Sequence, residues 1–288
     1  MGKAVRNIAA VLALLIVFPV ASAGEGKVFT KKVRLSDFTT KTTKVVMTGN
    51  AMLDAAMKDE VASRWQLSPY EFCSVAEYDR LKFKPDYYFL RIVRNVPEGV
   101  SGGVMFLSLL KGGKEKNPDS LDRMFEVISL PLAPTEFSSG REFLYIGAFL
   151  EIIQNYVEDA MEADTKGYAG LASYNARLAH SQRKKVWLSR DDIGFDFTDE
   201  QRARYLSPSF VVADEDEVDR VFRNGTRGAL VSIVVAPVSA QNRAWCYKML
   251  ISADTHQLYY YSRHRISFTA WKGFQLRDIK AIASRERR

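Results

Sequence analysis

Reactive side chains are scarce in this chain. Two cysteines and three histidines occur in 288 residues, too few for a disulfide-stapled scaffold and too scattered for a CxxC redox pair or a zinc ribbon. His180, His256 and His264 have no carboxylate or cysteine at ligand spacing and read as surface residues. No Gly-x-Ser-x-Gly elbow is present, and neither cysteine has a nearby histidine to activate it. The one glycine-rich stretch, residues 99–103, lies between two predicted strands and not between a strand and a helix, so it is a turn and not a phosphate loop. The acidic run Asp214-Glu215-Asp216-Glu217 lacks the spacing of a calcium loop and reads as the N-terminal cap of a short helix. These absences lead to the expectation of a non-enzymatic protein with no cofactor and no metal.

Long apolar runs are missing too, except at the start. Lys3 and Arg6 precede an apolar run from Ile8 to Val20, and Ala21-Ser22-Ala23 has the small residues of a cleavage site. That is the layout of a secretory signal peptide over residues 1–23; the run is short for a bilayer span and polar sequence follows it. The expectation is an exported protein, periplasmic or extracellular, with no permanent membrane span after cleavage. No cysteine follows the cleavage site, so lipid attachment there is not signalled. Cys73 and Cys246 fall at different places in the pattern described next and read as buried free thiols, with a pair as the alternative in an oxidising compartment.

What the chain does have is a duplication. Residues 59–83 (DEVASRWQLSPYEFCSVAEYDRLKF) and 199–222 (DEQRARYLSPSFVVADEDEVDRVF) align with a gap at Gln66 and a compensating one later. Asp59-Glu60 falls on Asp199-Glu200, Leu67-Ser68-Pro69 on Leu206-Ser207-Pro208, and Glu77, Asp79 and Arg80 on Glu217, Asp219 and Arg220. The block Lys31–Ser36 also matches Lys184–Ser189. The fold class that follows is α/β (α+β), with two small units, each a mixed sheet packed by helices, over residues 24–165 and 184–288 and a connecting segment at 166–183.

Local patterns fill in the units. Leu53, Met57, Val61 and Trp65 recur every four residues after a capping Asn50, and Ser68-Pro69 ends that helix. Tyr87 to Val93 is apolar on both faces except at Arg91, as a central strand should be. Glu142 to Asp164 forms a long helix with a wide apolar face, Leu171 to Lys184 a second, and Lys272 to Ser284 a final one. Each unit reads helix, strand, short helix, three strands and a closing helix, and the first has an additional leading strand. Glu77 with Arg80 and Glu217 with Arg220 can pair on their short helices.

The order carried by the Leu53–Trp65 helix, the Tyr70–Cys73 strand, the Val75–Leu81 helix and the Tyr87–Val93 strand, then by their counterparts to Val235, resembles a known domain. It is the periplasmic αβ domain of the curli-secretion lipoproteins, shared by the amino-terminal domain of the Tol-Pal propeller protein and by outer-membrane activators of cell-wall synthases. This chain lacks the lipidated cysteine of the first and last. The YYF and YYY runs also resemble exported proteins of Bacteroidetes bacteria. The resemblance implies fold and compartment, not an activity.

The charge is uneven. Of a formal +7, most comes from residues 263–288, which hold eight basic residues against Asp278 and Glu286. A basic end on an exported protein fits an anionic glycan or lipid, or is simply solvated; nucleic acid is not an expected partner after export. Tyr259, Tyr261 and Arg263 alternate with Leu258, Tyr260 and Ser262, which gives either a half-exposed aromatic face or packing between the units. The expected interaction surface is Tyr259, Tyr261, Arg263, Arg265, Trp271, Arg285, Arg287 and Arg288. Its expected use is docking of a protein partner in the cell envelope, with glycan or anionic-lipid binding as the alternative and hydrolysis of such a ligand a distant third.

Overall fold

The computed structural model describes residues 35–96, 102–113, 125–136, 139–162, 170–239 and 243–284. The expected signal peptide and the three terminal arginines Arg285, Arg287 and Arg288 lie outside them.

Ten strands form two five-stranded sheets. The first unit runs β1 (Thr42–Val46), α1 (Ala51–Arg64), β2 (Tyr70–Cys73), α2 (Val75–Leu81), β3 (Tyr87–Asn95), β4 (Val104–Lys111), β5 (Phe125–Pro134) and α3 (Arg141–Glu162). The second repeats it as β6 (Lys185–Ser189), α4 (Asp199–Tyr205), β7 (Phe210–Ala213), α5 (Glu215–Arg223), β8 (Ala229–Val235), β9 (Trp245–Ser252), β10 (Leu258–Arg265) and α6 (Leu276–Ala283). The sheets are ordered β2-β1-β3-β4-β5 and β7-β6-β8-β9-β10. In both, the leading strand pairs in parallel with its two neighbours and the last two pairings are antiparallel. Order and sense match strand for strand, so the units share one design.

Two expectations change here. The second unit has its own leading strand, so the first has no extra one. Its counterpart is β1, not the similar block at residues 31–36. Leu35 and Ser36 sit in a turn that leads into a 3-10 turn at Phe38–Thr40, and residues 31–34 are outside the described set. The connector is a 3-10 helix, Leu171–His180, and not an α-helix. It runs along β10, where Asn175 donates to the carbonyl of Tyr261 (3.0 Å) and accepts its N–H (2.7 Å). That edge of the sheet is therefore covered.

Caps explain where the helices start. The side chain of Asn50 accepts the N–H groups of Met52 and Leu53 at the head of α1. Ser74 and Asp214 occupy the same place before α2 and α5, accepting from Glu77 N and Glu217 N. Leu53, Met57 and Val61 are buried as their spacing predicts, and Trp65, just past the helix, joins them. Gly147, in the middle of α3, lies where a Cβ would meet the paired carboxylate and guanidinium of Glu60 and Arg64, so its bareness lets α1 and α3 approach.

The core is continuous across the units. α1 and α3 cover one face of the first sheet over Leu90, Leu107, Leu109 and Leu130, while α2 covers the other over Val46 and Phe89. In the second sheet α4 and α6 pack over Leu188, Leu230 and Leu250, but Val218 and Phe222 of α5 join the first unit's cluster. Tyr145 of α3 meets Phe222 at 4.6 Å, and Phe106 of β4 meets Tyr247 of β9 edge-on at 5.4 Å. α3 is thus buried nearly all round. No helix among the described residues is long and apolar enough to cross a membrane.

Candidate functional site

The residues singled out from sequence part company on β10. The strand bulges between Leu258 and Tyr260, so Tyr259 has no partner across the ladder. Leu258 then faces the inter-unit core and Tyr260 faces α6, although simple alternation puts both on one side. Tyr259 is half-buried with the ammonium of Lys184 5.4 Å from its ring centre. Tyr261 turns inward onto the inter-unit core. Tyr261 thus takes the alternative of packing between the units, and neither tyrosine forms an open aromatic face.

Arg263 and Arg265 do gather, about 13 to 20 Å from Tyr259 along the strand, whereas the loop carrying Trp271 is tied to His264 on the strand's other face. Both guanidiniums lie 4.5 Å from the ring centre of Trp245, the residue facing Arg265 across the ladder. Arg265 also donates to the carbonyl of Arg243 at 2.8 Å, which fixes its direction. Beyond the strand, Ser267 and Ala270 close a tight turn with Phe268 at its tip, 98% exposed. Trp271 follows at 50% exposure. Its carbonyl accepts from Nε2 of His264 (2.9 Å) and Nε2 of Gln275 (2.7 Å), so the backbone beneath the indole is tied to the core. Sequence reading missed Trp245 and Phe268; the signal for Phe268 was a lone large aromatic in a polar turn. It also placed His264 on the surface, whereas the ring is buried and its Nδ1 has no hydrogen-bond partner. Burial holds that imidazole below its ordinary range.

A second assembly has no precedent in the local patterns. Between the units opens a cleft of about 280 Å³. Its floor is the carboxyl ends of β6 and β8, where the chain reverses its winding, and its other wall is the β5–α3 corner of the first unit. Arg141 at the head of α3 reaches across to α5. It donates through Nε (2.9 Å) and Nη2 (2.7 Å) to Asp219 and through Nη1 to Glu215 (2.9 Å), while the Tyr145 hydroxyl donates to Asp219 at 2.8 Å. Asp219 is one of the duplicated aspartates; its twin Asp79 is exposed and pairs only with Lys82. Glu77, expected to pair with Arg80, instead holds the buried Lys44 at 3.0 Å.

Asp192 lies at the back of the cleft. It accepts from the hydroxyl of Ser232 at 2.5 Å, and Ser232 in turn accepts the N–H of Ser189. Burial pushes its carboxyl up to about 6, against the pull of Arg141 and the Ser232 hydroxyl. Burial likewise raises Glu215, and Arg141 opposes it. A carboxyl poised there can exchange a proton near neutrality. The hydroxyl beside it, Ser232 Oγ, is fully buried and donates to Asp192 itself, and among the described residues no group of three or more His, Cys, Asp or Glu side chains is placed to hold a metal ion.

No family model, curated protein or solved structure matches this chain.

The chemistry of the two assemblies is therefore what distinguishes them. In the cleft, Arg141 is already engaged by carboxylates of its own chain, which is the bonding of a latch. The turn after β10 carries a fully exposed aromatic and a half-exposed indole, just beyond the strand whose arginines stack on Trp245, which is the composition of a contact surface. Cys73 and Cys246 are both free and buried, in different units, and burial pushes each thiol up to about 11. That makes them packing residues and not nucleophiles.

Proposed function

We propose that this is a non-enzymatic, exported docking protein of the cell envelope, whose working surface is the end of the second unit formed by Trp245, Arg263, Arg265, Phe268 and Trp271. One observation carries the reading: Phe268 is held 98% exposed at the tip of a closed turn whose neighbours are anchored to the core. A free Phe costs solubility and contributes nothing to folding there, while a pre-ordered exposed aromatic anchor is what hot spots of protein interfaces use. The partner is a protein that offers an apolar pocket bordered by acidic groups. The signal-peptide pattern and the resemblance to periplasmic αβ domains support the compartment.

A second reading has its own support. Trp and Phe beside Arg also settle at the headgroup level of an anionic membrane. A photo-crosslinking amino acid in place of Phe268, activated in isolated native envelope, separates the two. A discrete protein adduct that Trp271→Ala diminishes is the expected result. Adducts to lipid alone favour the membrane. Absence of both, together with unchanged envelope retention of a Phe268→Ser/Trp271→Ala variant, removes the function from this surface.

A further inference from the structure

At the opposite end of the second sheet, the chain holds a positively charged hollow that the docking surface does not use. We infer that it binds a phosphomonoester. The hollow has a volume of about 470 Å³, within the size range of small-molecule sites, and every side chain that lines it, His180 included, is of a polar or charged type. Its cations come from two lead-ins that the fold forces together. Arg183 and Lys184 precede β6, and Arg227 precedes β8. β6 and β8 are parallel neighbours with Lys185 opposite Ala229, and Lys185 N donates to Gly228 O at 2.9 Å. Arg183 and Arg227, in the turns that lead into these strands, both line the hollow. Like charges gathered there repel.

The lining has one carboxylate, and it is already engaged. Asp254 accepts from the Ser252 hydroxyl at 2.5 Å and from the N–H of Gly228 at 3.1 Å, and it faces the Lys184 ammonium at 3.7 Å. It balances Lys184 and fixes the floor. Arg183 and Arg227 are exposed and form no ion pair among the described residues. Two guanidinium forks without a counter-ion, over a floor whose acid is taken, match an anion with several terminal oxygens and two charges. A phosphomonoester has both. With no Phe, Tyr, Trp or aliphatic side chain in the lining and His180 its one ring, the site suits a polar substituent such as a sugar or glycerol, presented either by a soluble molecule or by a lipid headgroup.

Isothermal titration of the full chain with inorganic phosphate and glycerol 3-phosphate, and co-sedimentation with vesicles containing phosphatidic acid, test the site. Binding should weaken about tenfold or more in Arg227→Gln and vanish in Arg183→Gln/Arg227→Gln. Without phosphate, the double variant should melt at or above the wild-type temperature, because the repulsion is gone. Response to the soluble esters assigns a free ligand; response to vesicles alone assigns a headgroup. If neither binds, or if both arginine variants bind as the wild type does, the inference is wrong. Phe268→Ser should leave phosphate binding unchanged, so this result and the docking result are read separately.

Discussion

Asp278 shows how much a single side chain can organise. Its two oxygens accept from Lys248 Nζ (2.7 Å), Tyr260 OH (2.7 Å), Ser262 Oγ (2.9 Å) and the N–H of Gln275 (2.7 Å). One carboxylate thus caps α6, neutralises a lysine that is 0% exposed, and ties β9 and β10 to the helix. Burial pushes Lys248 down while Asp278 holds it charged, and the four donors hold Asp278 below the usual carboxylate range despite its own burial. Lys248→Met would leave that carboxylate uncompensated and should lower stability by about 3–5 kcal/mol in urea unfolding, with Lys248→Met/Asp278→Leu recovering most of the loss. In the sequence Lys248 stands between Tyr247 and Met249. Its partner is thirty positions away, and no local pattern links them. Asp192 offers a pH readout. Its carboxyl rises from 3.8 to about 6 on folding, so between pH 4 and pH 6 the folded protein keeps a proton that the unfolded chain has lost. Stability from this group is greatest below pH 4 and falls as pH rises through 6, by about 3 kcal/mol at most. Asp192→Asn removes the titration. Its stability relative to wild type should therefore climb across that window, and a flat difference between the two proteins would contradict the assignment.

Elements were legible where their signal is local. The four-residue spacing of Leu53, Met57 and Val61, the doubly apolar Tyr87–Val93 run and the acid cap before α5 all have the structure their patterns imply. Asp214→Ala should cost about 1 kcal/mol by thermal or denaturant unfolding, and Ser74→Ala a similar amount at the equivalent cap in the first unit. Elements that depend on distant pairing were not legible. The expected helix at Lys272 to Ser284 begins only at Leu276, because Phe274 N donates to the carbonyl of Asp192 (2.7 Å) and Gln275 serves as the cap. The bulge at Tyr259 leaves no mark in an alternating sequence, yet it changes which tyrosine is buried. The leading block at 31–36 imitates β6 in composition, but the sheet uses Thr42–Val46, whose register with β2 and β3 places Val45 in the core.

At the scale of the molecule, duplication was readable from the sequence and union was not. Repeated motifs report a copied design, but they are silent on how copies meet, and the copies have diverged where they touch. Asp219 and Glu215 reach Arg141; Glu151 on α3 accepts from His256 (3.0 Å) while also holding Arg64. Because these links flank a shared apolar core, the units should unfold together. Calorimetry of the wild type should give one transition, and Arg141→Ala, which strands the buried Asp219, should lower its midpoint or split it in two.

α3 belongs by order to the first half and by burial to both. As the nascent polypeptide lengthens, its early portion can finish a sheet yet cannot finish its own interior, since Phe222 and Tyr247 that seal the seam have not been made. Half of the protein is thus an unripe fold with a greasy flank: a premature stop between the copies leaves one adhesive fragment, and a protease that cuts there leaves two, in place of smaller working proteins.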